Sequence, residues 1–377
     1  MDQRRIYIMG TGAVGKFVAH SLARMPSKPP ITIISRKIQL VNGWRKKNGI
    51  EVVTDGVSDF RRGIDLEIVQ PPEMVRLVEE KDNDAQGEKP PDEFNQPLIH
   101  QLVVATKAQS VANAVEGVKD RLGRESTILL LQNGMGLVEE LNTKVFPNAE
   151  TRPSYMLGVN SHGLQSETPF RVKHNGVGTI ALGVCPRDDT IPSSAWAPSS
   201  RYLLRTLTRS PALAAVGFPP TDLLQIQLEK LAVNCIVNPL TALMDCYNGE
   251  LLYNFAITRV MRLLISEISL VIRSLPELKG LPNLDLRFGP DRLEDAVVSV
   301  AGKTSLNSSS MREDILKGQR TEIEYINGYI VKRGEDIGIK CVLNYMLLQI
   351  LKGKQQQMHR KTADVTDMDS FRRARSA

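Results

Sequence analysis

The chain has 377 residues, 42% hydrophobic and 24% charged, with 48 Lys and Arg against 42 Asp and Glu for a net charge of +6. At roughly 100–200 residues per domain this suggests two or three domains with their own cores, and it excludes collagenous, fully disordered and polytopic membrane chains. No apolar run reaches the ~20 residues that span a bilayer, so no membrane partner is expected.

Residues 4–9 (RIYIMG) read as a short apolar strand. A glycine-rich turn follows, then a helical pattern through Phe17, Val18, Leu22 and Ala23 that ends before Pro26, Pro29 and Pro30. Ile31–Ser35 reads as a second strand. The unit has the length of one βαβ crossover, about 30 residues. Further buried strands read at 98–105 and 126–131. Together they predict a doubly wound parallel sheet.

Two segments look like insertions, near 58–97 and at 186–200. Residues 76–97 hold seven acids, three bases and three prolines, too polar to bury much. Residues 168–183 predict a β-hairpin around Asn175-Gly176. From about residue 213 helical patterns dominate, at 222–246, 251–275, 290–302 and 322–333. The expected organisation is an α/β domain over 1–212, an all-α domain over 213–352 and a frayed basic tail over 353–377. Residues 352–377 carry seven basic and three acidic side chains, so the rest of the chain is only +2. That is a solvated tail rather than a nucleic-acid surface, and no nucleic-acid partner is expected.

Cys185, Cys235, Cys246 and Cys341 are far apart and form no CxxC, which argues against zinc or a redox pair. Cys235 and Cys341 read as buried thiols. The thiols and the early strand, which leaves no room for a removable leader, point to the cytoplasm. The five histidines have no metal spacing, and His162 reads as structural or site-lining. GxSxG, HExxH and P-loop patterns are absent.

Gly10-Thr11-Gly12-Ala13-Val14-Gly15 is a GxGxxG set between strand and helix. Gly10 permits the tight turn, Gly12 the approach of a pyrophosphate, and Gly15 close helix–sheet packing. The end of the second strand selects among dinucleotides. An NAD site usually places an acid there, and this chain has Ser35-Arg36-Lys37. Two cations and a hydroxyl suit a 2′-phosphate, so NADPH/NADP+ is the expected cofactor, with Arg36 its reader. The plain alternative is that both cations only solvate the strand end. Lys107 and Asn133 each follow a strand end, where ligands sit in such sheets. They could equally be a surface lysine and an Asn-Gly turn residue.

The most informative stretch runs from Glu229 to Leu240. Lys230, Asn234 and Asn238 recur at i, i+4 and i+8, on one helical face with a 40° drift per step. They interrupt an otherwise apolar helix and need polar partners. A ligand with carboxylate, hydroxyl and carbonyl oxygens would supply them; a structural polar network would too. Burial would lower the lysine pKa toward neutrality, as suits an acid–base group. Pro239 should kink the helix. Asn307-Ser308-Ser309-Ser310 and Thr321-Glu322 form a second polar cluster. Ser310 with Glu313 and Thr321 with Glu324 each fit a capping box, which leaves a substrate-binding role and a purely capping role open. Glu322 should lie in the first turn of the last long helix.

These motifs resemble the ketopantoate reductase family (2-dehydropantoate 2-reductase). The resemblance rests on GxGxxG at 10–15, TKAQ at 106–109, QNGMG at 132–136, KLAVNCIVNPLTAL at 230–243, NGEL at 248–251, SSM at 309–311 and TEIEYINGYI at 321–330. It implies an N-terminal Rossmann domain, a helical C-terminal domain, an active site in the interdomain cleft, and NADPH-dependent reduction of 2-dehydropantoate to pantoate. By motif it implies Lys230 as the general acid. Asn133, Asn234, Asn238, Asn248, Asn307 and Ser310 become substrate contacts. Gly10, Thr11, Gly12, Ala13, Val14, Gly15, Arg36, Lys107, Asn133 and Glu322 become cofactor contacts. No metal is expected, the substrate partner is a small 2-oxo acid, and a homodimer is the assembly expected. Another branched 2-oxo acid is the alternative substrate. A non-catalytic NADPH sensor would lose the second domain's polar residues first, and all are present.

Overall fold

The computed structural model describes residues 3–69, 97–186 and 196–375, with side-chain surroundings through Met358. The chain divides into two compact units. One is Met1–Gln132 with Leu137–Leu223; the other is Asn133–Gly136 with Leu224–Ala377.

The first unit is built on β1 (Ile6–Met9), α1 (Ala13–Ala23), β2 (Ile31–Ser35), α2 (Leu40–Lys47), β3 (Ile50–Thr54), β4 (Val57–Arg61) and β5 (Asp65–Ile68). Then come β6 (Gln101–Val104), α3 (Val111–Glu116), β7 (Thr127–Leu130), α4 (Leu137–Lys144), β8 (Ser154–Asn160) and β9 (Gly163–Thr168). It closes with β10 (Arg171–Gly176), β11 (Ile180–Val184), α5 (Pro198–Thr208) and β12 (Ala215–Gly217). Eight strands form one sheet in the order β12-β11-β8-β7-β6-β1-β2-β5. Its strands are parallel except where β11 meets β8. Every residue of β1, β2, β6 and β7 is buried, as expected for a parallel sheet covered on both faces. In register, Met9 lies between Ile34 and Val104, so the glycine turn emerges beside Ala105.

A second sheet has the order β4-β3-β10-β9. Here the expected hairpin around Asn175-Gly176 does not form. β10 pairs antiparallel with β9, turning at Pro169-Phe170, and β11 pairs with β8 in the large sheet. Burial explains the split. β11 is buried at every residue and needs two covered faces, whereas β10 alternates, burying Val172 and His174. His162, expected to be structural or site-lining, is buried and hydrogen-bonded within this unit. Its Nε2–H donates to the Leu213 carbonyl at 3.0 Å, and its Nδ1 accepts the Gly178 N–H at 3.1 Å. Of the two expected insertions, residues 58–69 instead hold most of β4 and all of β5. Residues 70–96 and 187–195 lie outside the described residues.

The second unit is helical: α6 (Pro220–Met244), α7 (Phe255–Arg273), α8 (Leu284–Phe288), α9 (Pro290–Lys303), α10 (Ser310–Leu316), α11 (Asn327–Asp336) and α12 (Val342–Arg375). Its core packs Leu231, Ile236 and Leu240 of α6 with Leu264, Ile268 and Ile272 of α7, Val297, Ile330 and Leu351. α6 stays continuously helical through Pro239. The segment expected to fray after residue 352 continues α12 as helix to Arg375. After Gly353 it contains no Gly or Pro and is rich in Gln, Lys, Arg, Ala and Met, which form helix readily. Lys354 Nζ also donates to the carbonyls of Ala242 (2.8 Å) and Leu243 (3.1 Å), satisfying the C-terminus of α6.

Candidate active site

In the first unit, the GxGxxG turn is shaped by backbone packing at two of its glycines and left open at the third. Gly10 has φ +120°, and a Cβ there would stand 2.8 Å from the Ala105 carbonyl. A Cβ on Gly15 would collide with the Gly10 carbonyl, so α1 can start close to the sheet only with glycine there. At Gly12 a Cβ would meet nothing nearer than 3.7 Å. The protein's own packing therefore does not demand that glycine, and the vacant volume fits the approach of a phosphate. Gly12 is also the N-cap of α1 and no side chain caps it. The N-terminal N–H groups around Ala13 and Val14 thus face a site suited to an anion, with Thr11 at its edge.

Arg36 and Lys37 are exposed at the end of β2, while Ser35 is buried and its Oγ accepts the Lys37 N–H at 3.1 Å. Lys107 lies just past β6, at the start of a 3₁₀ turn over Ala108–Ser110, and is partly buried. Beside it, Thr106 Oγ1 is buried without a hydrogen bond. These groups fit a dinucleotide laid across the strand ends.

In the second unit, Lys230, Asn234 and Asn238 follow one face of α6, the first two partly exposed and Asn238 7% exposed. Burial pushes the Lys230 ammonium down to about 8, against the opposing pull of the Glu322 carboxylate. Glu322 is itself 4% exposed, and its Oε2 accepts from Asn133 Nδ2 at 3.3 Å. The loop Asn133–Gly136 belongs to this unit. Met135 N–H donates to the Tyr325 carbonyl at 2.9 Å, and Gly134, at φ +83°, leaves no room for a Cβ against Tyr325. Lys230, Glu322 and Asn133 therefore form one charged and polar cluster.

The 307–310 run is arranged differently from the sequence expectation. Ser309, not Ser310, is the N-cap of α10, its Oγ accepting the Arg312 N–H at 3.1 Å. Ser309 is buried and shares a 2.7 Å hydrogen bond with Thr241 Oγ1 of α6, whereas Ser310 and Asn307 are exposed. Asn307 serves through its carbonyl, which accepts the Asn248 N–H at 3.1 Å. Asn248 is buried, donates Nδ2 to Thr304 Oγ1 at 2.9 Å, and leaves its Oδ1 without a hydrogen bond. The second expected capping box is absent. Thr321 N–H and Oγ1 both bond Gln355 Oε1, and Glu322 precedes only a 3₁₀ turn, Ile323–Tyr325.

Residues 6–187 match the family described as ketopantoate reductase PanE/ApbA, and residues 222–355 match its C-terminal domain. A probable 2-dehydropantoate 2-reductase of Schizosaccharomyces pombe is 30% identical over 354 residues, covering 93% of this chain and 96% of that one. The chain belongs to the ketopantoate reductase family.

A second relative, the ketoisovalerate reductase BEA2 of Gibberella fujikuroi, is 27% identical over 88% of this chain and 78% of its own. A solved probable 2-dehydropantoate 2-reductase of Bacillus subtilis superposes with a TM-score of 0.64 at 25% identity, over 93% of this chain and 99% of that one. This ketopantoate reductase family member is thus an enzyme, an oxidoreductase acting on a CH–OH group, of a family whose substrates are small 2-oxo acids. Its fold is the N-terminal α/β sheet and C-terminal helical unit expected of the family. Among the described residues there is no group of side chains fit to hold a metal, and no helix long and apolar enough to cross a membrane.

Sequence reasoning gave Thr241 no role and named Ser309 only as one member of the 307–310 run, with Ser310 preferred. Thr241 lies eleven residues after Lys230, three turns on along the same helical face, and that spacing could have drawn attention to it. Ser309 was obscured by its neighbours, since three consecutive serines offer three candidate caps.

Proposed function

We propose that this enzyme reduces 2-dehydropantoate to (R)-pantoate with NADPH, a step of pantothenate and coenzyme A biosynthesis, and that Lys230 is its general acid. One observation carries the assignment: an ammonium lowered to about 8 beside the buried Glu322 carboxylate, on the polar face of α6. When bound, the reduced nicotinamide supplies a hydride to the carbonyl carbon. Lys230 gives its proton to the carbonyl oxygen as negative charge grows there, so the ketone gains a hydride and a proton and becomes an alcohol. Glu322 keeps the ammonium charged despite its burial, and Asn133 orients Glu322. Asn234, Asn238 and Asn248 supply amides for the substrate's oxygens. Ser310 is assigned to its carboxylate, as the exposed first residue of α10. The GxGxxG turn, Arg36 and Lys107 hold the cofactor, and the absence of an acid after β2 favours NADPH over NADH.

The ketoisovalerate reductase relatives support a second reading, in which the substrate is another branched 2-oxo acid. Both are decided by following NADPH oxidation at 340 nm with 2-dehydropantoate and with 2-ketoisovalerate. Preference for 2-dehydropantoate, together with a fall in kcat of about 10²-fold or more in Lys230→Ala, is the expected result. Preference for 2-ketoisovalerate moves the assignment to the second reading. Full activity in Lys230→Ala removes the lysine from the acid role.

A further inference from the structure

The helix that carries Lys230, Asn234 and Asn238 has a proline directly after the last of them. In a regular α-helix the N–H of residue 239 would donate to the carbonyl of Cys235. Pro239 has no N–H, and its ring crowds that carbonyl. α6 nevertheless runs from Pro220 to Met244 without a break. A buried carbonyl deprived of its donor must find another or destabilise the fold.

Asn327 supplies the donor. It is the first residue of α11 and is fully buried. Its Nδ2 lies 2.9 Å from the Cys235 carbonyl and 3.1 Å from Asn344 Oδ1. Asn344 is also fully buried, and its Nδ2 donates to Glu267 Oε2 at 2.9 Å. Glu267 in turn accepts the N–H groups of Leu343 (2.9 Å) and Asn344 (3.0 Å) at the start of α12. A carboxylate at one end and a carbonyl at the other can only accept, so both amide orientations are determined. Asn327 Oδ1 is left buried with no hydrogen bond. A side chain selected for packing alone would not strand that acceptor. Asn327 is there for its two donors.

We propose that Asn327 is a positioning residue for the reduction: by donating to the carbonyl that Pro239 orphans, it sets the turn of α6 between Asn234 and Asn238 and thereby the aim of Lys230. The tie replaces a bond within the helix by one to the rest of the unit, so the placement of this turn is dictated by α7, α11 and α12. The inference rests on the reading of Lys230 as the acid.

A double-mutant cycle with Asn327→Ala and Pro239→Ala tests it, since alanine at 239 returns the missing N–H. Asn327→Ala is expected to lower kcat about tenfold or more while the KM for NADPH stays within about twofold. Pro239→Ala alone should keep kcat within about threefold of wild type, and the double variant should match Pro239→Ala, a coupling that independent sites do not show. The melting temperature should recover only in part, because Asn344 Oδ1 stays unpaired. Wild-type kcat in Asn327→Ala, or losses that simply add in the double variant, would overturn the proposal. Should Asn327→Ala fail to fold, the double variant still decides. Folding with restored kcat supports the proposal, and failure of either overturns it. Failure of the underlying reading looks different: Lys230→Ala would then keep its activity, while the coupling between Asn327 and Pro239 would persist in the melting temperatures.

Discussion

Two lysines show how burial sets chemistry in this chain. Lys230 and Lys16 are both lowered to about 8, each chiefly by loss of water. Lys16 is 1% exposed and its ammonium is held by Ser166 Oγ (2.5 Å) and the carbonyls of Thr168 (2.6 Å) and Arg171 (3.2 Å). It fastens α1 to the β9–β10 hairpin and has a structural role. Lys230 has the Glu322 carboxylate instead, which favours the charged form and leaves a proton to give. The sign of the pH dependence follows. A general acid works only while protonated, so the rate of reduction should be level below about pH 7 and fall tenfold per unit above about pH 8. A kcat–pH profile for reduction checks this, and a limb that rises through pH 8 would mean that Lys230 acts as a base. In sequence, Lys230 was legible because it breaks an apolar run. Lys16 was not, because a lysine after Gly15 on a first helical turn reads as surface, and its three oxygen partners lie about 150 residues away.

At the scale of elements, local signals were read well and long-range pairing was not. β2 and the start of α1 follow from composition and from the glycine turn. The hairpin error at Asn175-Gly176 came from trusting a strong local turn where the next strand had a better partner in β8, a choice no local window contains. The surroundings of Pro239 were hidden in the same way. The Cys235 carbonyl that its ring leaves without a helical donor is met by Asn327, 88 residues later, so the partner was invisible beside the proline. The cap of α10 was misplaced by one residue, and that residue separates two roles. Ser309→Ala removes the N-cap and the bond to Thr241, and should cost about 1–2 kcal/mol in urea unfolding. Ser310→Ala touches an exposed first-turn position and should stay within about 0.5 kcal/mol of wild type. If Ser310 binds the substrate carboxylate, its loss should raise the KM for the oxo acid without lowering stability. If instead Ser309→Ala proves neutral in unfolding, the cap assignment fails.

At the scale of the whole chain, cofactor preference is the property that a few charges must decide. The net charge of +6 is concentrated toward the C-terminus, so it does not by itself draw a dinucleotide to the first unit. Local chemistry must, and the strand end after β2 offers Ser35, Arg36 and Lys37 with no carboxylate. A ligand that binds only the folded state stabilises it by ~2.7 kcal/mol at a hundredfold excess over its Kd. For a unit of 150–250 residues each kcal/mol moves the melting temperature by roughly 2–4 °C. NADPH should therefore raise the melting temperature by several degrees, and NADH at equal concentration by clearly less. Arg36→Ala should shrink the NADPH shift toward that of NADH and leave the NADH shift nearly unchanged, because the guanidinium meets a phosphate that NADH lacks. Equal losses with both cofactors would show that Arg36 acts on a part they share, such as the adenine face. Unchanged shifts would leave Lys37 as the cation that reads the 2′-phosphate, with Arg36 only solvating the strand end.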